Sequence, residues 1–279
     1  MFYFAQLAVL LVITVPLAIV TILCGPFDPH GKRVYRINQF WAWWVLRLGR
    51  ISLEVTGLEN IDPGRQYVFM VNHQSNIDIP VLIQSLSRFQ LRWIAKRELL
   101  WVPLFGWAMW ATKHIMVDRS NPLAAARSLQ RARERMAAGI SIVVFPEGTR
   151  SRDGRLLRFK KGGFLLAVQT GAQIVPVTVN GSARVLPAGG WRLRPGGIEV
   201  FVHEPIAVDG YRAGKLTALT EQVRATIASC LRQPAEPQAA PAAKALELDC
   251  GGERLASIRQ KLHALTCAAR AVRPEAVGT

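Results

Sequence analysis

The chain has 279 residues, of which 50% are hydrophobic and 19% are charged, and it carries four cysteines. This composition excludes a disordered chain, which would be poor in apolar residues, and a small scaffold held together by disulfides. The formal net charge is +16, and most of the excess lies between residues 31 and 211. A cationic domain of this kind suits partners that carry phosphate, such as nucleic acid, anionic lipid headgroups or phosphorylated small molecules.

The N-terminal segment Phe2–Cys24 is almost wholly apolar, and no charged side chain precedes Asp28. As a helix this segment would be about 34 Å long, close to the thickness of a bilayer core. It lacks the basic start and the small-residue cleavage site of a cleaved signal peptide. We therefore interpret it as a membrane anchor that is retained.

A second membrane-seeking stretch follows the turn-forming segment Gly25–Gly31. It is rich in tryptophan within Phe40–Leu48 and has Arg36 and Arg50 on either side, a pattern typical of the membrane interface. Residues 1–50 are therefore predicted to anchor the chain, either as a helical hairpin that dips into one leaflet or as a single span. A span would place the following domain on the cytoplasmic side, because basic residues follow it. The expected location is the cytoplasmic face of a bacterial inner membrane.

From residue 51 onward, short β-branched runs alternate with helical patterns. The predicted strands are Ser52–Thr56, Tyr67–Val71, Leu91–Ala95, Ile115–Val117, Ser141–Phe145, Ile174–Val179 and Ile198–His203. The predicted helices are Ile79–Ser87, Pro122–Ala138, Gly162–Gln169 and Leu216–Arg232. This alternation predicts an α/β domain over residues 51–232, with a mixed, mainly parallel sheet flanked by helices. Residues 233–279 form a low-complexity linker rich in proline and alanine, and a tail in which Glu253–Ala271 has a helical pattern.

A histidine and an aspartate, His73 and Asp78, follow the buried strand pattern Tyr67–Val71. On one continuous helix they would point about 140° apart. They can meet if His73 lies in the loop and Asp78 caps the next helix. The carboxylate would then orient the imidazole and leave its far nitrogen free to accept a proton, although a purely structural hydrogen bond is the alternative. No serine or cysteine is obviously placed as a nucleophile for this base, which leaves a substrate hydroxyl as the group to be activated.

The segment Phe145–Ser151 follows another buried strand pattern. Gly148 permits a tight turn, so Glu147, Thr149 and Arg150 are presented at the end of a strand, where α/β sheets bind ligands. A strongly basic run follows it: Arg152, Arg155, Arg158, Lys160 and Lys161. These residues predict an anion-binding loop, with a solvated basic loop as the alternative.

Two further cations follow predicted strands. Arg119 comes just after Ile115–Val117, and Lys96 comes directly after Leu91–Ala95. An arginine in such a position can bind a phosphate with two hydrogen bonds, whereas a surface ion pair is the alternative. Lys96 is a weaker candidate for a cationic or oxyanion-stabilising role.

Taken together, these segments resemble the glycerolipid acyltransferase family, in particular its 1-acyl-glycerol-3-phosphate acyltransferases. The resemblance is carried by an NHxxxxD motif at Asn72, His73 and Asp78, a strand ending in Arg119, an FPEGTRS motif at Phe145–Ser151, and an apolar segment with a central proline at Ile174–Val177. It covers roughly Ile51–Glu204. Each motif alone is weak, but the ordered set is specific.

The resemblance implies that His73 acts as a general base on the sn-2 hydroxyl of 1-acyl-glycerol-3-phosphate and that Asp78 orients it. It also implies that Glu147, Arg150 and Arg119 bind the glycerol phosphate. Gly148, Thr149 and Lys96 are further candidate substrate-binding residues. The acyl donor would be acyl-CoA or an acylated acyl carrier protein, the product would be phosphatidic acid for phospholipid biosynthesis, and neither a cofactor nor a metal would be required. Membrane lipids would be the further partners.

Other readings compete with this one. The acceptor could be another lysolipid, such as a lyso-ornithine lipid. A non-catalytic basic membrane-binding protein would explain the charge and the anchor without chemistry. A nucleic-acid-binding protein would explain the charge but not the anchor, so no nucleic-acid partner is expected. A metal hydrolase could use His73, Asp78 and Glu147, but the Cys/His spacings of zinc sites are absent from the sequence.

Overall fold

The computed structural model describes residues 2–118, 122–212 and 214–232. Its N-terminal part is an antiparallel hairpin of two helices, α1 (Phe2–Cys24) and α2 (Lys32–Gly49). Near the start of α1, the Gln6 side-chain amide donates to the Leu48 carbonyl oxygen over 3.2 Å. Further along, the Trp41 indole donates to the Thr14 hydroxyl over 3.0 Å. These bonds join early positions of α1 to late positions of α2, so the two helices are packed against each other as a hairpin.

Helix α1 is long and apolar enough to cross a membrane, and very little of this stretch is buried against the protein. This exposure indicates membrane association. The helix continues through Pro16.

The remaining described residues form an α/β domain. The strands are β1 (Ile51–Thr56), β2 (Val68–Val71), β3 (Leu91–Lys96), β4 (Ile115–Val117), β5 (Ser141–Val144), β6 (Ile174–Asn180) and β7 (Gly196–Val202). The helices are α3 (Asp78–Ser85), α4 (Phe105–Ala111), α5 (Pro122–Ala137), α6 (Gly162–Thr170), α7 (Ser182–Val185) and α8 (Thr217–Cys230). All strands described here coincide with strands predicted from the sequence.

The strands form one sheet in the order β1-β7-β6-β2-β5-β3-β4. Strands β6, β2, β5, β3 and β4 are mutually parallel, whereas β7 pairs with β6 in the antiparallel sense and β1 is parallel to β7. The predicted mixed, mainly parallel sheet is therefore confirmed. Because β2 and β5 are central neighbours, the loops that follow them emerge side by side at one edge of the sheet.

Both faces of the sheet are covered. In β2, Phe69 and Val71 belong to a core shared with α2 and α3, whereas Val68 and Met70 belong to a second core shared with α5, α6 and α8. Successive side chains of a strand point to opposite faces, so a strand covered on both sides must be apolar throughout. This double burial explains the unbroken apolar run that precedes His73 in the sequence.

A buried arginine joins the turn of the hairpin to the sheet. The Arg92 guanidinium donates to the carbonyl oxygens of His30, over 2.9 Å, and Leu91, over 2.7 Å, and it lies 5.0 Å from the centre of the Tyr35 ring. Burial lowers the pKa of Arg92 to about 10. In the same turn, Asp28 accepts the amides of the first turn of α2; burial alone would raise the pKa of Asp28, but these backbone bonds hold it below its ordinary value. The hairpin is thus fixed to the α/β domain at its turn as well as along its length.

Two helices are additions to the sequence prediction. Helix α4 lies in a tryptophan-rich stretch whose apolar residues surround the helix rather than forming one stripe, and α7 is only four residues long. Neither has the periodicity that marks an amphipathic helix. The predicted linker and tail, including the helical pattern Glu253–Ala271, lie outside the described residues, and the proposed domain boundaries stay predictions.

Candidate active site

The loop after β2 is tied to the neighbouring strand β6 by Asn72. Its side-chain amide donates to the Val179 carbonyl oxygen over 2.9 Å, and its side-chain oxygen accepts the Val179 amide over 2.8 Å. Asn72 is almost fully buried. The two bonds resemble those between neighbouring strands of a sheet. They fix the position of the backbone just before His73.

His73 and Asp78 are in direct contact, as their spacing predicts. The His73 Nδ1 atom lies 2.8 Å from Asp78 Oδ2, with 14% of the histidine side chain exposed and none of the aspartate side chain. The same Oδ2 atom accepts the backbone amides of Gln74 and Ser75, each over 2.9 Å. With Asp78 as the acceptor, the Nδ1 atom carries the proton and Nε2 keeps its lone pair.

The position of Asp78 differs in one respect from the expectation. Asp78 is the first residue of α3, and the residue before the helix is Ile77, which makes no side-chain capping bond. The Asp78 carboxylate turns back over the preceding loop instead of capping the helix. It is thereby held by the loop that carries His73, so the carboxylate and the imidazole are fixed by the same segment of chain.

The imidazole of His73 is also held from the side. It stacks on the Phe145 ring, with 3.8 Å between ring centres and an angle of 13° between planes. Phe145 comes directly after β5, the neighbour of β2. The stacking and the bond to Asp78 together restrict the rotation of the ring and fix the direction of Nε2.

Glu147 lies beneath the loop that carries His73. Its Oε1 atom accepts the backbone amide of His73 over 2.8 Å, and its Oε2 atom accepts the amide of Leu157 over 2.9 Å. Only 3% of Glu147 is exposed. Burial raises the pKa of Glu147, and the two backbone bonds, with the nearby His73, partly counter that rise. Both oxygens of this carboxylate are thus occupied by main-chain groups.

The rest of the loop after β5 is also connected to the histidine loop. The Ser151 amide donates to the His73 carbonyl oxygen over 2.8 Å. The Arg150 guanidinium donates to the Asn76 side-chain oxygen over 3.0 Å and is half-buried, so it lies beside the histidine loop. Gly148 has a φ of 72°, which a glycine adopts without strain, and Thr149 is exposed. The structure therefore brings His73, Asp78 and the segment from Glu147 to Arg150 together, as the sequence predicts.

Comparison with known proteins shows the family to which the chain belongs. Residues 52–180 match the model of the Acyltransferase family. A 1-acyl-sn-glycerol-3-phosphate acyltransferase of Pseudomonas aeruginosa is 33% identical over 217 residues, which are 75% of this chain and 82% of that protein. The chain belongs to the 1-acyl-sn-glycerol-3-phosphate acyltransferase family. The resemblance seen in the sequence motifs is confirmed.

Further relatives agree with this assignment. The chloroplastic 1-acyl-sn-glycerol-3-phosphate acyltransferase LPAT1 of Arabidopsis thaliana is 34% identical over 209 residues, which are 74% of this chain and 56% of that protein. The match thus spans little more than half the length of this plant relative. The crystal structure of the 1-acyl-sn-glycerophosphate acyltransferase PlsC of Thermotoga maritima superposes with a TM-score of 0.64 at 29% identity, covering 81% of this chain and 95% of that one. The fold is therefore that of a known acyltransferase.

Of the two outer cations of the predicted site, the structure describes only Lys96. Lys96 is the last residue of β3 and is exposed at the same edge of the sheet as His73. Arg119 lies outside the described residues. Just before it, Asp118 accepts a hydrogen bond from Arg97 over 3.3 Å. The binding roles of Lys96 and Arg119 stay predictions.

Two supports of the site were not predicted. Asn72 was recognised only as part of a motif, and its bonds to Val179 cross to a strand more than a hundred positions later in the chain. Phe145 was interpreted as the end of a strand and not as the platform of the imidazole. An asparagine or an aromatic side chain at the carboxyl end of a buried strand, next to a candidate base, is the signal that could have indicated both.

Proposed function

We propose that this chain transfers a fatty-acyl group from an acyl thioester to the sn-2 hydroxyl of 1-acyl-glycerol-3-phosphate and so forms phosphatidic acid. The observation that carries the proposal is the His73–Asp78 pair, whose 2.8 Å contact fixes Nδ1 and leaves Nε2 free. The family membership and the names of the relatives support the choice of reaction and of acceptor.

The chemistry follows from that pair. His73 Nε2 takes the proton of the acceptor hydroxyl while the hydroxyl oxygen attacks the carbonyl carbon of the thioester. Asp78 stabilises the imidazolium that results. The tetrahedral oxyanion then collapses, the carbon–sulfur bond breaks, and the departing sulfur takes the proton from the imidazolium. An ester and a free thiol are the products, and no bond to the protein is formed.

Glu147 supports the base in this proposal rather than binding the phosphate. Its two oxygens already accept main-chain amides, and its negative charge would repel a phosphate group. The initial expectation that Glu147 contacts the substrate is therefore replaced by a positioning role: Glu147 holds the backbone of His73.

Arg150 is the residue that we assign to the acceptor phosphate. It is half-buried beside the His73 loop, and its contact through Nη1 is with a neutral oxygen of Asn76 rather than with a carboxylate. A guanidinium keeps several donors for a phosphate when one of them is bonded to a neutral group. Gly148 and Thr149 lie next to Arg150, and Lys96 and Arg119 would add positive charge from the neighbouring strands.

The anchor is proposed to lie in one leaflet. Helix α1 contacts α2 along its length through Gln6 and Thr14, and at its far end Gly25 packs against Ala111 of the catalytic domain. Crossing a bilayer would draw those attached elements into the hydrocarbon, including the exposed arginines of α2. Immersion of α1 along the surface, with the catalytic domain on the cytoplasmic side, avoids that cost.

Acceptor profiling tests the function. The purified full chain in detergent micelles is given one radiolabelled acyl thioester, as CoA ester or as acyl carrier protein ester, with a series of lysolipids. Formation of labelled phosphatidic acid from lysophosphatidate, and its loss in His73→Ala, is the expected result. Acylation of a different lysolipid alone would overturn the proposed acceptor. Absence of any acyl transfer would leave the non-catalytic membrane protein as the better description.

A further inference from the structure

The segment between β3 and β4 exposes a group of large apolar side chains. This tryptophan patch consists of Trp101 (81% exposed), Val102 (45%), Phe105 (47%), Trp107 (53%) and Trp110 (55%). Such a concentration of aromatic side chains is uncommon on the water-exposed surface of a soluble domain and marks an interaction surface. The catalytic mechanism makes no use of these residues.

The tryptophan patch continues the surface of the anchor. Helix α4, which carries most of the patch, lies against α1. At the end of α4, Ala111 packs so closely on Gly25 that a Cβ atom added to the glycine would lie 2.6 Å from the alanine Cβ. On α1 the outward side chains are also apolar and exposed, including Val12 (71%) and Leu23 (65%). The two exposed apolar surfaces are therefore carried by helices that lie against each other.

The chemistry of the patch differs from that of α1. α1 presents aliphatic side chains, whereas the patch is dominated by indole rings with cations beside them. The Lys113 ammonium lies 4.9 Å from the centre of the Trp110 ring, and Lys96 and Arg97 are exposed just before Trp101. Indole rings with neighbouring lysine and arginine are favoured at the headgroup level of a membrane, while aliphatic side chains are favoured deeper.

We propose that the tryptophan patch is a second membrane-contact surface, which lies in the headgroup region of the leaflet that holds α1 and sets the height of the catalytic edge above the bilayer. The patch begins a few residues after Lys96, at the carboxyl end of β3, which is the edge that also carries His73. Anchored at two places, the domain cannot roll about the axis of α1. The inference rests on the proposed anchoring in one leaflet but not on the identity of the acceptor.

Tryptophan fluorescence tests the placement directly. The full chain is bound to phosphatidylcholine–phosphatidylglycerol vesicles that contain phospholipids brominated on their acyl chains close to the headgroup, which quench only indoles in the membrane. The triple variant Trp101→Phe, Trp107→Phe and Trp110→Phe keeps the apolar rings but removes their emission. We expect the quenched share of the emission to fall in this variant and not to fall in the control Trp93→Phe, which removes the emission of an indole buried in the protein and out of reach of the lipid. An undiminished quenched share in the triple variant would overturn the proposal.

A charge substitution tests the energetic contribution. Trp107→Glu should weaken vesicle binding at least about tenfold, since burial of a large apolar side chain contributes about 1.5–3 kcal/mol. Activity on lysophosphatidate in vesicles should fall with it, while activity in micelles should remain. The matched control Leu123→Glu replaces a side chain that is 70% exposed on α5, which packs on the face of the sheet away from α2 and α3. Equal vesicle binding by the two variants would contradict the proposal.

Two further outcomes separate this proposal from its alternatives. A dimer in detergent that dissociates in Trp107→Glu, with lipid quenching unaltered, would show that a second copy of the chain covers the patch instead of lipid. A wild-type chain that does not bind vesicles at all would overturn the anchoring itself. A wild-type chain that binds vesicles but acylates no lysophosphatidate would overturn only the proposed acceptor, because the fluorescence measurement does not depend on turnover.

Discussion

The substitution Glu147→Gln distinguishes a carboxylate that supports the base from one that binds substrate. The side chains have the same shape, but glutamine has one acceptor oxygen where Glu147 uses two, for the amides of His73 and Leu157. In either orientation of the glutamine, an NH₂ group faces one of these backbone donors. One main-chain amide is therefore left without a partner, and the remaining bond loses its ionic character.

The expected loss of stability follows from these two bonds. A hydrogen bond to a charged group contributes about 1.5–3 kcal/mol, and leaving a buried donor unpaired costs about 1–3 kcal/mol. Removal of a buried charge, whose pKa burial already raises, offsets part of this cost. We expect the free energy of unfolding to fall by about 2 kcal/mol, which corresponds to about 4–8 °C in Tm for a chain of this size.

The kinetic effect should appear in kcat. If the His73 backbone shifts by about 1 Å, turnover falls by a factor on the order of 10², whereas the KM for lysophosphatidate should change little. Thermal unfolding in detergent and steady-state kinetics in neutral micelles measure the two effects. Glu59→Gln, at an exposed position, removes the same charge and should alter neither quantity. A raised or lowered acceptor KM in Glu147→Gln with unchanged kcat and Tm would refute the positioning role.

The remaining predictions concern the base, the phosphate site, the anchor and pH. His73→Ala should lower turnover by a factor on the order of 10²–10⁴, the usual contribution of a general base; near-wild-type rates in a folded variant would remove His73 from the mechanism. Arg150→Ala should raise the acceptor KM about ten- to a hundredfold with a smaller effect on the KM of the acyl thioester, and Arg150→Lys should recover part of the loss; an unchanged acceptor KM in neutral micelles would exclude Arg150 from the site. Deletion of residues 2–24 should leave measurable vesicle binding in a sedimentation assay, and a fully soluble monomer would contradict the two-part attachment. Burial lowers the pKa of His203 to about 4, so the folded state binds fewer protons than the unfolded state between that value and about 6.5, and stability is lost as the pH falls through this range, by at most about 1.4 kcal/mol per unit. Chemical denaturation at pH 7 and pH 5 should show a smaller loss in His203→Gln than in the wild type, and equal losses would exclude this histidine as a source.

The parts of the fold that could be predicted are those in which the local sequence pattern is compatible with only one type of structure. β2 and β5 are buried on both faces, so their residues form short apolar runs with turn-forming residues behind them. Similarly, His73 and Asp78 are five residues apart, with His73 in a loop and Asp78 at the start of the next helix. This arrangement is enough to bring their side chains together. Helix α4 escaped prediction because it is only seven residues long and contains no polar side chain, so it shows no polar side.

The role of Glu147 could not be predicted for a different reason. Its partners are main-chain amides, one of them 74 positions earlier in the chain, and every residue except proline offers the same donor. A hydrogen bond to a main-chain amide therefore leaves no pattern of side chains in the sequence from which it could be predicted. From the sequence alone, a charged residue in a loop at the end of a strand therefore indicates a ligand of the substrate, and the main-chain partners of Glu147 become visible only in the structure.

The main-chain bonds around His73 connect catalysis with the order in which the chain folds. His73 and Asp78 are neighbours in sequence, but the backbone of His73 is held by Glu147 and Ser151, and Asn72 is held by Val179. Contacts between such distant segments close large loops, and closing a loop costs conformational entropy. The contacts can stabilise the chain only after this entropy has been lost. The base therefore reaches its working geometry when β5 and β6 have joined β2. A partly folded intermediate would contain both His73 and Asp78 without the rigid backbone that aligns them, so the aligned pair forms only with the completed sheet.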